Sequence, residues 1–143
     1  MNKPLIFHLA IPVNDLSLAQ EFYTQGLGCQ TGRANLHAII FNFYGHQLVA
    51  HMTKEELQPQ KGVYPRHFGL IFPDKTIWDE LVLRAKTKQL KFYQEPKLRF
   101  AQKLTEHWTF FLEDPFYNLL EFKYYAHFAA IFEPLEINQI GDR

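Results

Sequence analysis

Three side chains able to bind a divalent metal stand inside short apolar runs of the sequence. His8 lies in Phe7-His8-Leu9-Ala10-Ile11, His67 in His67-Phe68-Gly69-Leu70, and Glu121 in Leu119-Leu120-Glu121-Phe122. A carboxylate within an apolar strand is costly to bury without a partner. Two imidazoles and one carboxylate, each turned inward from a separate strand, suit a divalent ion with open positions. Non-haem Fe(II) oxygenases use that set, and Mn, Ni, Co or Zn can occupy similar sites. Open positions let a small substrate chelate the ion through two adjacent oxygens while the ion acts as Lewis acid and template.

Neither histidine would carry this alone, because a histidine on an apolar strand is commonly a hydrogen-bonded core residue. The repeat in which they sit changes the reading. His8-Leu-Ala-Ile resembles His67-Phe-Gly-Leu, 59 residues later. Each run has a small residue, Ala10 or Gly69, two positions after the histidine, so on a strand the two share a face. That small residue is expected to leave room beside the histidine. The opposite face carries Phe7, Leu9 and Ile11 in one copy, Phe68, Leu70 and Phe72 in the other, and is expected to cover a helix.

A helix start follows each strand at the same distance. Ser17 with Gln20 reads as a capping box, and Thr76 with Asp79 as a weaker one. The first helix carries Leu16, Ala19, Phe22 and Tyr23, and Gly26 and Gly28 can end it; the second carries Ile77, Leu81 and Ala85. Strand-like stretches follow, over 37–44 and 47–52 in the first half. In the second they span 91–93, 108–112 and 119–125, with Asp114-Pro115 marking the last turn. Each half is therefore expected to be β-α-β-β-β. The fold class is α+β: two tandem modules forming a cupped, mostly antiparallel sheet with helices outside. We divide one domain, 1–143, into module one at 4–53, a connector at 54–64, module two at 65–126, and a tail at 127–143. The tail is expected to be a short helix or an arm across a partner subunit.

Size and charge narrow the partners. The chain has 143 residues, enough for one domain with a real core. Lys+Arg and Asp+Glu both number 15, and no basic patch shows, which argues against nucleic acid or an anionic membrane. The partner expected is a small-molecule substrate. Cys29 is the only cysteine, so no intrachain disulfide can form. The apolar run near Met1 is too short to span a bilayer and lacks a signal-peptide cleavage pattern, so the expected location is cytoplasmic. Fourteen Phe suggest rings walling a core or a pocket.

The segments His8-Leu-Ala-Ile-Pro-Val-Asn-Asp-Leu, Glu21-Phe-Tyr and Leu27-Gly28 resemble the opening of glyoxalase/bleomycin resistance/extradiol dioxygenase proteins, the vicinal oxygen chelate superfamily. Asp114-Pro-Phe-Tyr-Asn-Leu-Leu-Glu-Phe is similar to that superfamily's closing motif, commonly Asp-Pro-x-Gly-Asn-x-x-Glu. The likeness covers nearly the whole chain. It implies metal ligands on the first strand of each half and on the last strand, at His8, His67 and Glu121. It links this set to an extradiol-type dioxygenase with Fe(II). Glyoxalase-like isomerases or lyases, which often add a fourth protein ligand near the end of the first half, and bleomycin-resistance-like binding proteins are the alternatives. One departure is Tyr117, where the motif usually has Gly.

His51 ends the last strand of the first half and roughly mirrors Glu121. It is a candidate fourth ligand, or an acid/base beside the metal. Arg99 and Arg66 could each hold a substrate carboxylate through two hydrogen bonds. Tyr125 shares the face of Glu121 and could donate a hydrogen bond to substrate. His107 is expected in a loop. A homodimer is expected, with His8 meeting His67 either of its own chain or of the partner.

Overall fold

A computed structural model describes residues 3–133 and 139–142. The first half runs β1 (His8–Val13), α1 (Leu16–Gln20) continuing into a π-helical turn (Glu21–Gly26), β2 (Gln30–Ala34), β3 (Ala38–Phe43) and β4 (His46–Met52). The second runs β5 (Phe68–Ile71), α2 (Lys75–Thr87), β6 (Phe92–Arg99), β7 (His107–Glu113) and β8 (Leu119–Tyr125), followed by α3 (Ala129–Phe132). Each half makes one four-stranded sheet, ordered β1-β4-β3-β2 and β5-β8-β7-β6. In each, the first strand pairs parallel with the last and the other pairs are antiparallel. The tandem βαβββ architecture expected from the repeat is the one observed. Among the described residues no helix is long and apolar enough to cross a membrane.

The repeat runs deeper than the two histidines. Asp15 caps α1 by accepting from Leu18 N–H at 3.0 Å, and Asp74 caps α2 by accepting from Ile77 N–H at 3.0 Å. These two lie 59 residues apart, as do His8 and His67. They replace Ser17 and Thr76, the caps expected. Both aspartates are in extended backbone just before the helix, and a carboxylate there also meets the positive end of the helix dipole. The same offset relates buried Ala19 to Trp78 and Phe22 to Leu81.

One core serves both sheets. Ile11, Val13, Leu48 and Ala50 line its first half, and Phe72, Leu120 and Phe122 its second. Phe43 joins them, its ring 6.1 Å from that of Phe68 and 6.4 Å from that of Phe122. Burying a ring of this size stabilises by ~1.5–3 kcal/mol. Leu9 and Leu70 pack against this core as expected, but Phe7 stands 64% exposed ahead of β1. Trp78 ties α2 to the sheet through an N–H bond to the Phe122 carbonyl at 2.9 Å. Arg84 donates to the carbonyls of Gly26 and Gln25 at the end of the first half's helical segment, satisfying groups with no helical partner.

Two strands departed from expectation. β2 is wholly exposed, so its residues carry no apolar alternation by which to find it. β6 extends to Arg99 rather than ending at Tyr93, and Pro96 is tolerated there because β6 is an edge strand. The small residue at Gly69 does not open room for a ligand. A Cβ there would collide with the backbone of Glu121, its partner across β5 and β8. Gly69 is required so that the two strands can approach. The arm expected beyond Phe132 falls largely on 134–138 and 143, outside the described residues.

Candidate metal centre

The face of the second sheet turned away from the shared core carries the polar chemistry. Side chains alternate along each strand, and core residues Leu120 and Phe122 turn the neighbouring Glu121 and Lys123 to the other side. Rungs across the sheet then read Gly69–Glu121–Phe111–Gln94 and, nearer its end, Tyr125–His107–Arg99.

His67 sits just ahead of β5 and meets Glu121 from the side. Its Nδ1 lies 2.6 Å from the Val63 carbonyl, an acceptor only, so Nδ1 carries a hydrogen. Nε2 lies 3.1 Å from Glu121 Oε1. In the neutral ring that nitrogen holds a lone pair, and two acceptors would face one another. The hydrogen bond to Glu121 therefore raises the pKa of His67 despite the opposing effect of burial. Burial alone would raise Glu121. The hydrogen bond from His67, the Lys123 charge at 3.7 Å and the Thr109 hydroxyl at 2.6 Å outweigh it and hold Glu121 below its usual range. A nitrogen and a carboxylate oxygen brought together around one proton fit a divalent cation, which His67 and Glu121 would hold in the proton's place.

A cavity of about 110 Å³ opens beside this pair, lined by Gln94, Arg99, His107, Lys123 and Tyr125 among others. Lys123 Nζ donates to Tyr125 Oη at 3.1 Å, which leaves the phenol hydrogen free to point elsewhere. His107 is buried at the start of β7, not in a loop as expected. Burial lowers its pKa, and its Nδ1 donates to the Thr105 carbonyl at 2.9 Å, which leaves Nε2 as an acceptor. The structure thus brings His67, Glu121, Arg99 and Tyr125 together. Sequence reasoning missed Thr109, Lys123 and Gln94. The alternation His107, Thr109, Phe111 along β7 is the signal that could have found the first.

His8 lies elsewhere. It is exposed on β1 in the first sheet, with Nδ1 2.7 Å from Gln47 Oε1. That acceptor likewise leaves Nε2 as the outward nitrogen. Among the described residues no three His, Cys, Asp or Glu side chains gather within the chain. Arg66 is exposed, with its Nε on Gln60 at 3.3 Å.

Register also corrects the place given to His51. Ala10 and Gly69 are equivalent in the repeat; Ala10 pairs with Val49, and Gly69 with Glu121. The mirror of Glu121 is therefore Val49. His51 pairs with Pro12 as Lys123 pairs with Ile71, and it is exposed near the strand end. The offset between halves is 59 at the first strands but 72 at the last, the difference between Val49 and Glu121, which hid this from a reading of the sequence.

Residues 5–122 match the family model of the glyoxalase/bleomycin resistance protein/dioxygenase superfamily. The chain belongs to this superfamily. Its members typically bind divalent metals, and they include enzymes. A glyoxalase/bleomycin resistance protein/dioxygenase from Alicyclobacillus acidocaldarius is 43% identical and superposes with a TM-score of 0.84, over 89% of this chain and 96% of that one. A fosfomycin resistance protein from Listeria monocytogenes, at 17% identity, shares the fold with a TM-score of 0.65 over 87% of this chain and 94% of that one. So does a lactoylglutathione lyase from Agrobacterium tumefaciens, at 19% identity and 0.64 over 86% and 95%. No curated protein matches the chain.

Proposed function

We propose that this protein is a metal-dependent enzyme acting on a small substrate that chelates the metal through adjacent oxygens, with an extradiol-type dioxygenase as the leading reaction. The observation that carries the metal reading is the His67–Glu121 pair, with one proton held between nitrogen and carboxylate at 3.1 Å. The third ligand in this reading is His8 of a partner subunit, because within the chain His8 lies on the other sheet. A homodimer would supply two such sites by symmetry.

Val49 at the mirror of Glu121 offers no donor atom. This favours three protein ligands with open positions over a four-ligand, glyoxalase-like isomerase or lyase. A ligand-sequestering protein without metal is the remaining alternative. Fe(II) suits the His/His/Glu set, with Mn, Ni, Co or Zn able to bind similarly. The chemistry supplied by such an ion is polarisation of two adjacent substrate oxygens. The chain's own residues do the rest. Glu121 is kept ionised, Thr109 fixes one of its oxygens, and the Val63 carbonyl sets the tautomer of His67. His107 Nε2, an acceptor in a buried wall, is placed to take a substrate proton, the role first considered for His51. Tyr125 offers its hydrogen to a substrate oxygen.

Elemental analysis of anaerobically purified protein tests the metal. Oxygen uptake over a catechol panel with iron-loaded protein tests the reaction. Iron-loaded protein that consumes no oxygen with any catechol rejects the dioxygenase reading, and protein that binds none of Fe, Mn, Ni or Zn rejects the metal. His51→Ala is expected to keep metal and turnover.

A further inference from the structure

We infer that Arg99 is a carboxylate-binding subsite of this pocket, occupied in the free chain by Asp142 and vacated when a small hydroxy acid enters. The inference deepens the metal-site reading above and rests on it for the position of the reacting end.

The Arg99 side chain is only 11% exposed, and its guanidinium lies 4.9 Å from the Phe100 ring. A cation so enclosed is costly unless an anion meets it. The anion that does so is the Asp142 carboxylate, itself 54% exposed and therefore easily withdrawn. Asp142 does not belong to the sheet. It reaches Arg99 from outside, with its backbone N–H bonded to Tyr64 Oη at 2.7 Å and Gly141 lying against the same phenol. Ile140, Gly141 and Asp142 form one wall of the cavity whose other walls are His67, Glu121, His107, Lys123 and Tyr125. The segment thus closes the pocket with a carboxylate on its arginine, where a substrate carboxylate would bind.

Gln94 narrows the ligand further. Its side-chain oxygen is buried against this cavity and has no hydrogen-bond partner among the described residues. An unsatisfied buried acceptor calls for a donor. A ligand bearing a hydroxyl would supply it. Arg99, on the rung of Tyr125 and His107, and Lys123, 3.7 Å from Glu121, both line the cavity as cations, so an acid with a hydroxyl on the neighbouring carbon matches it in charge and in hydrogen bonding. About 110 Å³ admits only a few heavy atoms, so the acid is small.

Glycolate, with glycolamide as its neutral counterpart, is the probe. Binding is read in metal-free full-length protein from the Arg99 side-chain Nε–H resonance. Asp142→Asn is expected to tighten glycolate binding by about tenfold, the factor that follows if Asp142 occupies Arg99 about nine-tenths of the time. Arg99→Gln should abolish binding, Arg99→Lys should weaken it, and glycolamide should not bind. Equal affinity in the wild type and Asp142→Asn overturns the inference. So does glycolate binding that survives Arg99→Gln, or glycolamide binding as tightly as glycolate. Repeating the titration with Zn²⁺ separates the two readings. A glycolate affinity that Zn²⁺ leaves unchanged counts against the metal centre while the Arg99 subsite stands.

Discussion

A chain carrying His8→Ala and a chain carrying Glu121→Ala are each expected to lose the metal. Losing an outer hydrogen-bonding partner already costs about 10–100-fold in affinity, and losing a ligand should cost at least that. Pairing the two defective chains should restore binding. In a symmetric dimer, one site takes His8 from the first chain with His67 and Glu121 from the second, and the other site takes the reverse. A heterodimer of the variants concentrates both defects in one site and leaves the other with all three ligands. It should hold about half the metal of the wild-type dimer, one site of two. The variants are co-expressed with different tags, the heterodimer is isolated by two affinity steps, and metal per dimer is measured by mass spectrometry. The expectation comes from the placement of His8 on the first sheet, of Glu121 on the second and of His67 just ahead of it, with no third ligand gathered among the described residues. A heterodimer no richer in metal than either single variant would show that ligands are not shared across subunits. Wild-type loading by either variant alone would remove that residue from the metal.

Further tests follow from the same geometry. In chelated protein the His67–Glu121 pair should set the pH dependence of stability. His67 has a raised pKa, so its contribution is full below its ordinary 6.5 and is lost as pH rises through the raised value. Glu121 has a lowered pKa, so its contribution is full above its ordinary 4.5 and is lost as pH falls through the lowered value. Thermal melts should therefore show the pair's stabilisation between about 4.5 and 6.5, and His67→Ala should flatten both limbs; an unchanged profile would speak against the pair. Cys29 is 4% exposed and burial pushes its thiol up to about 12, so a disulfide reagent at pH 8 should label it only after denaturation. Labelling of native protein at the rate of a free thiol would contradict this. Tyr117 has a φ of 67°, in the left-handed region. Tyr117→Gly should therefore be more stable than Tyr117→Ala by ~1 kcal/mol in denaturant titrations, and equal stability would show no backbone cost there. Gly69→Ala should destabilise by ~3 kcal/mol, because the new methyl meets the Glu121 backbone rather than a flexible side chain.

What the sequence revealed follows from which physical signals repeat. His8 and His67, with strands of alternating apolar residues and a helix start at a common distance, made the two halves and the His67–Glu121 partnership readable. The caps were misplaced by two residues because Ser17 and Thr76 fit the capping pattern, while Asp15 and Asp74 add a charge the dipole favours. β2 was invisible because an exposed edge strand needs no apolar face. His51 was matched to Glu121 because the halves differ in length between helix and final strand, and only paired backbone reveals that Val49 is the counterpart. Arg99 and Tyr125 were singled out as candidates and line one cavity, but their shared rung with His107 was not legible, since the long edge strand β6 has an irregular register.

The rings of Phe43, Phe68 and Phe122 have a consequence for how the repeat can change. Once two copies bury such rings against each other, neither remains an autonomous folding unit, and mutations in one are tested by selection in the other. Phe43 belongs to the half that carries His8, yet it rests on Phe122, the residue next to Glu121. Loss of that ring would loosen the strand that holds the carboxylate without touching any polar group. Drift within the first half is therefore constrained by the chemistry of the second, even at positions far from any ligand.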